Sequence, residues 1–148
     1  MKQVLITGAN RGVGLALAQH YAGNGWQVIG VCRQSSMELD TVAKKVVQGI
    51  DVTRATDVET LVSSVAGESI DLLINNAGIM IPPQSKTEDG FEIQFGVNFI
   101  GHFALTGHLF YLLESTKDSR VVTLSSIAHR GATIDFDNFR LEKEYNNW

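Results

Sequence analysis

Cysteine is almost missing from this chain, and proline nearly so. Cys32 is the only thiol among 148 residues. That excludes an internal disulfide and any metal site built from several cysteines, and it fits a reducing compartment. Its place at the end of the apolar stretch Trp26–Cys32 points to a buried, inert thiol. The two prolines, Pro82 and Pro83, stand side by side in one loop-like stretch. Charge is scarce as well. The net charge of −4 leaves no basic excess to attract nucleic acid or an anionic membrane. No apolar run is long enough to span a bilayer, and the first strand-like run starts at residue 3, with no signal peptide before it. The expectation is a cytoplasmic protein. No His, Cys, Asp and Glu residues cluster at metal-ligand spacing. What remains, at 44% hydrophobic residues, is enough for one domain with a core.

The chain is organised around Gln3–Gly14, QVLITGANRGVG. An apolar run, Val4-Leu5-Ile6, gives way to a glycine-rich turn and then at once to a helix-like pattern. Such a strand–turn–helix gathers free backbone N–H groups and the positive end of a helix dipole at one point, which suits a phosphate or pyrophosphate. Gly8 permits the tight turn; Gly12 and Gly14 permit close approach of ligand and sheet. The spacing, T-G-x-x-x-G-x-G, differs from the commoner G-x-G-x-x-G fingerprint. The plainer alternative is a glycine-rich surface turn.

Strand and helix patterns then alternate. A helix is expected from about Gly12 to Asn24, stopped by Asn24-Gly25. Trp26–Cys32 reads as a buried parallel strand, Met37–Lys45 as a short helix and Val46–Ile50 as a third strand. Thr56 and Glu59 have the spacing of a capping box ahead of Val58, Leu61, Val62 and Val65. Ile70–Asn75 is a fourth strand, and Met80–Gly90 a loop. A long helix is expected from about Phe91 to Ser115, with Phe95, Phe99 and Phe103 on one stripe. Gly96, Gly101 and Gly107 weaken it and would let another helix approach. Arg120–Leu124 is a fifth strand; the tail from Ile127 to Trp148 has no strong period. This alternation predicts a doubly wound parallel sheet in one domain, with ligands at the strands' C-terminal ends. Those ends are Thr7-Gly8, Cys32-Arg33, Ile50-Asp51, Asn75–Gly78 and Ser125-Ser126.

With these segments in place, the chain resembles the N-terminal part of a short-chain dehydrogenase/reductase. The likeness rests on Thr7–Gly14, Asp51-Val52, Asn75–Gly78, Asn98 in the long helix and Ser125-Ser126, in that order, and covers essentially the whole chain. From Asn75 onward, in NNAGIM, GVNFIGHFALT and VVTLSSIAHRG, it is most similar to retinol-dehydrogenase-like members. The N-terminal half is more similar to bacterial carbonyl-reductase-type members. The resemblance implies a Rossmann fold and a nicotinamide dinucleotide held by Gly8, Asn10, Arg11, Gly12, Val13 and Gly14. It further implies that Asp51, with Val52, meets the adenine and that Asn76, Ala77 and Gly78 line the ribose side. Asp51 also reads as a turn residue. Arg33 stands where an acidic residue would accept hydrogen bonds from the 2′-OH of NAD. An arginine there pairs with a 2′-phosphate, with Arg11 as a second cation. The cofactor expectation is therefore NADP(H) over NAD(H), and the alternative is a solvated loop arginine. In the family's catalytic set, Asn98 positions a water in a proton relay and Ser126, rather than Ser125, bonds the substrate carbonyl. His102, one turn after Asn98, is expected to be structural, like His20, His108 and His129.

The chain departs from the family where the proton donor should be. A general-acid tyrosine in Tyr-x-x-x-Lys, its pKa lowered by the lysine, drives the family's hydride transfer between nicotinamide and a carbonyl or alcohol carbon. Tyr21 is followed four residues later by Gly25, Tyr111 by Ser115, and Tyr145 would need residue 149. The motif is expected just beyond Trp148, which makes the 148 residues a truncated domain, incomplete at its C-terminal side, with strand five an unpaired edge. Two functions follow. One is a fragment of an oxidoreductase acting on a small-molecule carbonyl or alcohol. The other is a non-catalytic nucleotide-binding or interaction protein. Substrate identity and formation of a homo-oligomer are left open.

Overall fold

The computed structural model describes residues 1–131 and 133–145. Ala132 and the last three residues of the tail, up to Trp148, lie outside the described residues. Five strands, β1 (Gln3–Thr7), β2 (Gln27–Cys32), β3 (Lys45–Gln48), β4 (Leu72–Asn75) and β5 (Arg120–Thr123), form one parallel sheet in the order β3-β2-β1-β4-β5. Helices α1 (Gly12–Gly23), α2 (Met37–Val42) and α3 (Ala55–Ser64) fill the early crossovers. Between β4 and β5 run α4 (Ile93–Phe95), a π-helical turn Gly96–Gly101 and α5 (His102–Ser115), with helical dihedrals at every junction. This is the doubly wound parallel sheet that the alternating pattern implied.

Period-two alternation along the strands builds a core on each face. Val4, Ile6, Val28, Leu72 and Ile74 pack under α1 and α2 with Ala18 and Leu39. Leu5, Ile29, Val31 and Leu73 pack under α3 and α5 with Val58, Leu61, Leu105 and Leu109. Each such side chain contributes about 1.5–3 kcal/mol by leaving water. Because β1 and β4 are neighbours although two strands, β2 and β3, separate them in sequence, the chain reverses direction across the sheet between them. A crevice opens there at the C-terminal ends, where parallel sheets bind ligands.

Several local expectations need correction. Thr56 and Glu59 make no capping box: α3 starts at Ala55 after Arg54, and no side chain caps it. Asp57 in its first turn instead accepts the Asp51 N–H at 3.0 Å, tying the helix start to the end of the β3 loop. The short helix after β2 ends at Val42, and Lys45 opens β3, so strand pairing with β2 wins over helix propensity there. Among the described residues, Gly96 and Gly101 of the long helix are met by loops and Gly107 by nothing close. A Cβ on Gly96 would meet Thr87 Cγ2 at 2.3 Å, one on Gly101 the Val52 carbonyl at 2.8 Å, and one on Gly107 nothing within 4 Å. The first two are close passages of loops. The phenylalanine stripe exists, with Phe95 and Phe99 stacked at 5.4 Å and Phe99 and Phe103 at 6.4 Å. It faces outward, and the buried face of α5 is leucine-rich. The tail docks through Phe139, stacked on Phe95 at 4.5 Å, and through Tyr145 Oη, which donates to the Pro82 carbonyl at 2.8 Å.

Candidate functional site

A cleft of about 820 Å³ opens at the C-terminal ends of β1, β2 and β4. One wall is the turn from β1 into α1. Gly8 and Gly12 hold φ of +65° and +53°, the left-handed region where a side chain would be strained. Gly14 has ordinary dihedrals but no room: a Cβ would lie 2.1 Å from the Gly8 carbonyl oxygen and 2.5 Å from Asn76 Nδ2. Arg11, at the N-cap of α1, supplies no side-chain cap, so the first amides of the helix face the cleft with their partial positive charge.

The facing wall is Asn76–Gly78, fastened to the glycine turn by side chains far apart in sequence. Asn76 Nδ2 donates to the Thr7 and Gly8 carbonyls at 2.8 and 3.2 Å. Thr7 Oγ1 accepts the N–H groups of Asn76 and Ala77, both at 3.0 Å. All twelve residues expected to touch the dinucleotide line this cleft, from Gly8 in the glycine turn to Gly78. Asp51 lines the cleft and is also the turn residue that the sequence allowed: its Oδ1 accepts from Thr53 N and Oγ1 at 3.0 and 2.7 Å. Arg11 and Arg33 are exposed there, and neither is paired with a carboxylate among the described residues.

Asn98 and Ser126 do not line the cleft. Asn98 sits in the π-helical turn and clasps the Ile79 backbone in both directions: Nδ2 donates to the Ile79 carbonyl at 2.9 Å, and Oδ1 accepts its N–H at 3.0 Å. Ser126, just past the C-terminal end of β5, is exposed, and its Oγ accepts the Ala128 N–H at 3.2 Å as the cap of a short helical turn, Ile127–His129. Of the candidate residues, the cleft therefore gathers those from Gly8 to Gly78 and neither Asn98 nor Ser126.

The short chain dehydrogenase family model matches residues 2–136. The chain belongs to the short-chain dehydrogenase family. It is 38% identical to human retinol dehydrogenase 13 over 98% of its own length and 47% of that protein. It is 39% identical to mouse retinol dehydrogenase 14 over 98% of its length and 50% of that protein. It thus spans about half the length of the curated relatives it matches. Among solved structures it superposes on a Mycobacterium paratuberculosis protein with a TM-score of 0.86 and 37% identity, covering all of this chain and 55% of that one. A short-chain dehydrogenase/reductase family oxidoreductase from Brucella ovis, solved with partially ordered NAD, aligns with a TM-score of 0.66 at 27% identity, covering 87% of this chain and 65% of that one.

Within this dehydrogenase-family chain, sequence reasoning gave Thr7 no role and expected His102 to be structural. Thr7 is fully buried and holds two amides of the opposite wall; its place directly before Gly8 was the available signal. His102 is 4% exposed, and burial pushes its pKa below the ordinary histidine value. Burial likewise raises the Cys32 thiol, with the nearby Asp40 charge adding to it, so the lone cysteine is an inert thiol beside the cleft. Among the described residues no group of His, Cys, Asp and Glu could hold a metal, and no helix is long and apolar enough to cross a membrane.

Proposed function

We propose that the cleft binds a nicotinamide dinucleotide, NADP(H) in preference to NAD(H), in a protein that interconverts a carbonyl and an alcohol. The observation that carries the cofactor choice is Arg33, an unpaired guanidinium lining the cleft directly after β2, where no carboxylate ends the strand. A 2′-phosphate matches a guanidinium in charge and geometry, and Arg11 lines the same cleft. The uncapped start of α1 and the glycines that a Cβ would block suit a pyrophosphate, held by the Gly12, Val13 and Gly14 amides. Asp51 and Val52 would meet the adenine, and Asn76, Ala77 and Gly78 the ribose.

When bound, the nicotinamide supplies or accepts the hydride. The chain's own residues orient and polarise. Ser126 Oγ already accepts a backbone N–H, which leaves its proton free to donate to a substrate carbonyl. Asn98 fixes the backbone beside Gly78 through Ile79. No tyrosine among the 148 residues is followed at the fourth position by lysine, so this reading assigns the general acid to residues outside them. The competing reading is a nucleotide-binding module without catalysis. In either reading the 148-residue chain assayed alone reduces no carbonyl with NADPH; turnover that Ser126→Ala abolishes would overturn this.

The test is calorimetric titration with NADPH and, in parallel, NADH. Saturable binding at least about tenfold tighter for NADPH is expected, and Arg33→Ala should remove about 1.5–3 kcal/mol of the NADPH affinity alone. Equal or tighter binding of NADH would reject the NADP(H) preference.

A further inference from the structure

His102 is a buried imidazole near the cleft with no place in the scheme above. It is the first residue of α5, one turn after Asn98 and directly behind the π-helical turn. Neither ring nitrogen meets a hydrogen-bond partner of good geometry among the described residues. Two carbonyls nevertheless face the ring closely enough to favour its charged form against the larger effect of burial: those of Ala77 and Asn98. One belongs to the wall of the cleft, the other to the residue that clasps Ile79. The backbone of His102 is tied to the same corner. Its carbonyl accepts Thr106 Oγ1 at 2.7 Å, and Thr106 Oγ1 in turn accepts Asn75 Nδ2 at 3.0 Å, at the end of β4.

A buried polar group left without a partner is costly, and an apolar side chain in its place costs less. A role that stability alone does not explain is therefore indicated. In an apo structure, functional hydrogen bonds are often long or misaligned and close when the ligand seats.

We propose that His102 is a positioning residue: its neutral imidazole donates one ring N–H to the Ala77 carbonyl and so holds the Asn76–Gly78 wall against the π-helical turn that carries Asn98. The imidazole touches neither cofactor nor substrate. It fixes the spacing between the cleft wall and the Asn98–Ile79 clasp, and its acceptor nitrogen leaves the Asn98 carbonyl undisturbed. The tie braces the π-helical turn that carries Asn98, and such turns occur mostly at functional sites. The inference rests on the nucleotide reading of the cleft for its functional consequence, but not for its structural one.

The test compares the wild-type chain with His102→Leu, His102→Asn and His102→Gln; the two amides return a donor at the Nδ1 and Nε2 positions. Three quantities are read for each: NADPH affinity by calorimetry, melting temperature, and hydrogen exchange at the Ile79 amide, which Asn98 holds. His102→Leu should bind about tenfold more weakly with little change in melting temperature, since the loss of the bond to the Ala77 carbonyl is offset by removing the burial cost of the polar ring. One of the amide variants should recover wild-type affinity, and its identity names the donating nitrogen. Unchanged affinity in His102→Leu overturns the proposal. So does a loss of affinity that tracks a fall in melting temperature and that neither amide reverses. If the wild-type chain binds no nucleotide, the nucleotide reading fails and exchange at Ile79 decides this one. Faster exchange in His102→Leu, restored by an amide, supports the tie, and unchanged exchange refutes it.

Discussion

The two strands that flank β4 could hardly differ more. In β1 every residue is buried, and in β5 every residue is exposed. Both pair with β4 in parallel register. Strand β1 has β2 on its other side, α1 and α2 over one face, and α3 and α5 over the other. Within these 148 residues strand β5 lies at the sheet edge, with Val121 and Val122 each more than 40% exposed. Hydrogen bonding alone therefore does not make a strand part of the core; covering both faces does. The candidate functional features divide along the same line. The glycine turn and its facing wall are packed and cross-bonded around β1, whereas Ser126 extends from β5 on an exposed turn.

The sharpest test of that difference is to truncate one apolar side chain in each strand. Leu5→Ala should cost about 2–5 kcal/mol of unfolding free energy, since it leaves a cavity among fully buried neighbours. Val122→Ala should cost under about 0.5 kcal/mol. Denaturant unfolding monitored on both variants checks this; similar losses would mean that β5 is as much a part of the core as β1.

Next in size is the bonding between the cleft walls. Asn76→Ala removes two hydrogen bonds that fasten Asn76 to the Thr7 and Gly8 carbonyls. It should cost about 1–3 kcal/mol and weaken nucleotide binding, read by thermal melting and titration. Ser126→Ala, on the β5 side, should leave both readouts unchanged.

The smallest expected effect is the pH dependence carried by His102. Its folded pKa is lowered by burial from the ordinary value of 6.5, so the folded state binds fewer protons than the unfolded one. The stability tied to its neutral form is complete above about pH 6.5 and falls as pH drops below that, by at most about 1.4 kcal/mol per pH unit. Unfolding curves between pH 7.5 and 5 should slope more gently for His102→Leu than for wild type (roughly by that amount). Parallel curves would place the titration elsewhere.

Much of this arrangement is legible in the sequence, for identifiable reasons. The strands of the sheet are short apolar runs bounded by glycine or polar residues, and a parallel sheet buried on both faces requires such runs. The glycine turn is legible because positive φ at Gly8 and the missing space at Gly14 leave no substitute for glycine. What could not be read depends on partners far away along the chain. Thr7 and Asn76 are 69 residues apart, and Asn98 meets Ile79 across 19. A capping box at Thr56 and Glu59 has the right local spacing. The spacing does not reveal that Asp51, from the preceding loop, engages Asp57 and that the helix starts without a side-chain cap. His102 looked like an ordinary core histidine because no sequence pattern marks a buried imidazole whose ring nitrogens lack good partners.

Amide hydrogen exchange with and without NADPH tests the central claim most directly, since it asks which part of the sheet edge responds to the nucleotide. The account predicts added protection at Gly12–Gly14 and Asn76–Gly78, with Ser126–Gly131 unchanged. Protection confined to the β5 side, or absent from the glycine turn while NADPH binds, would contradict it.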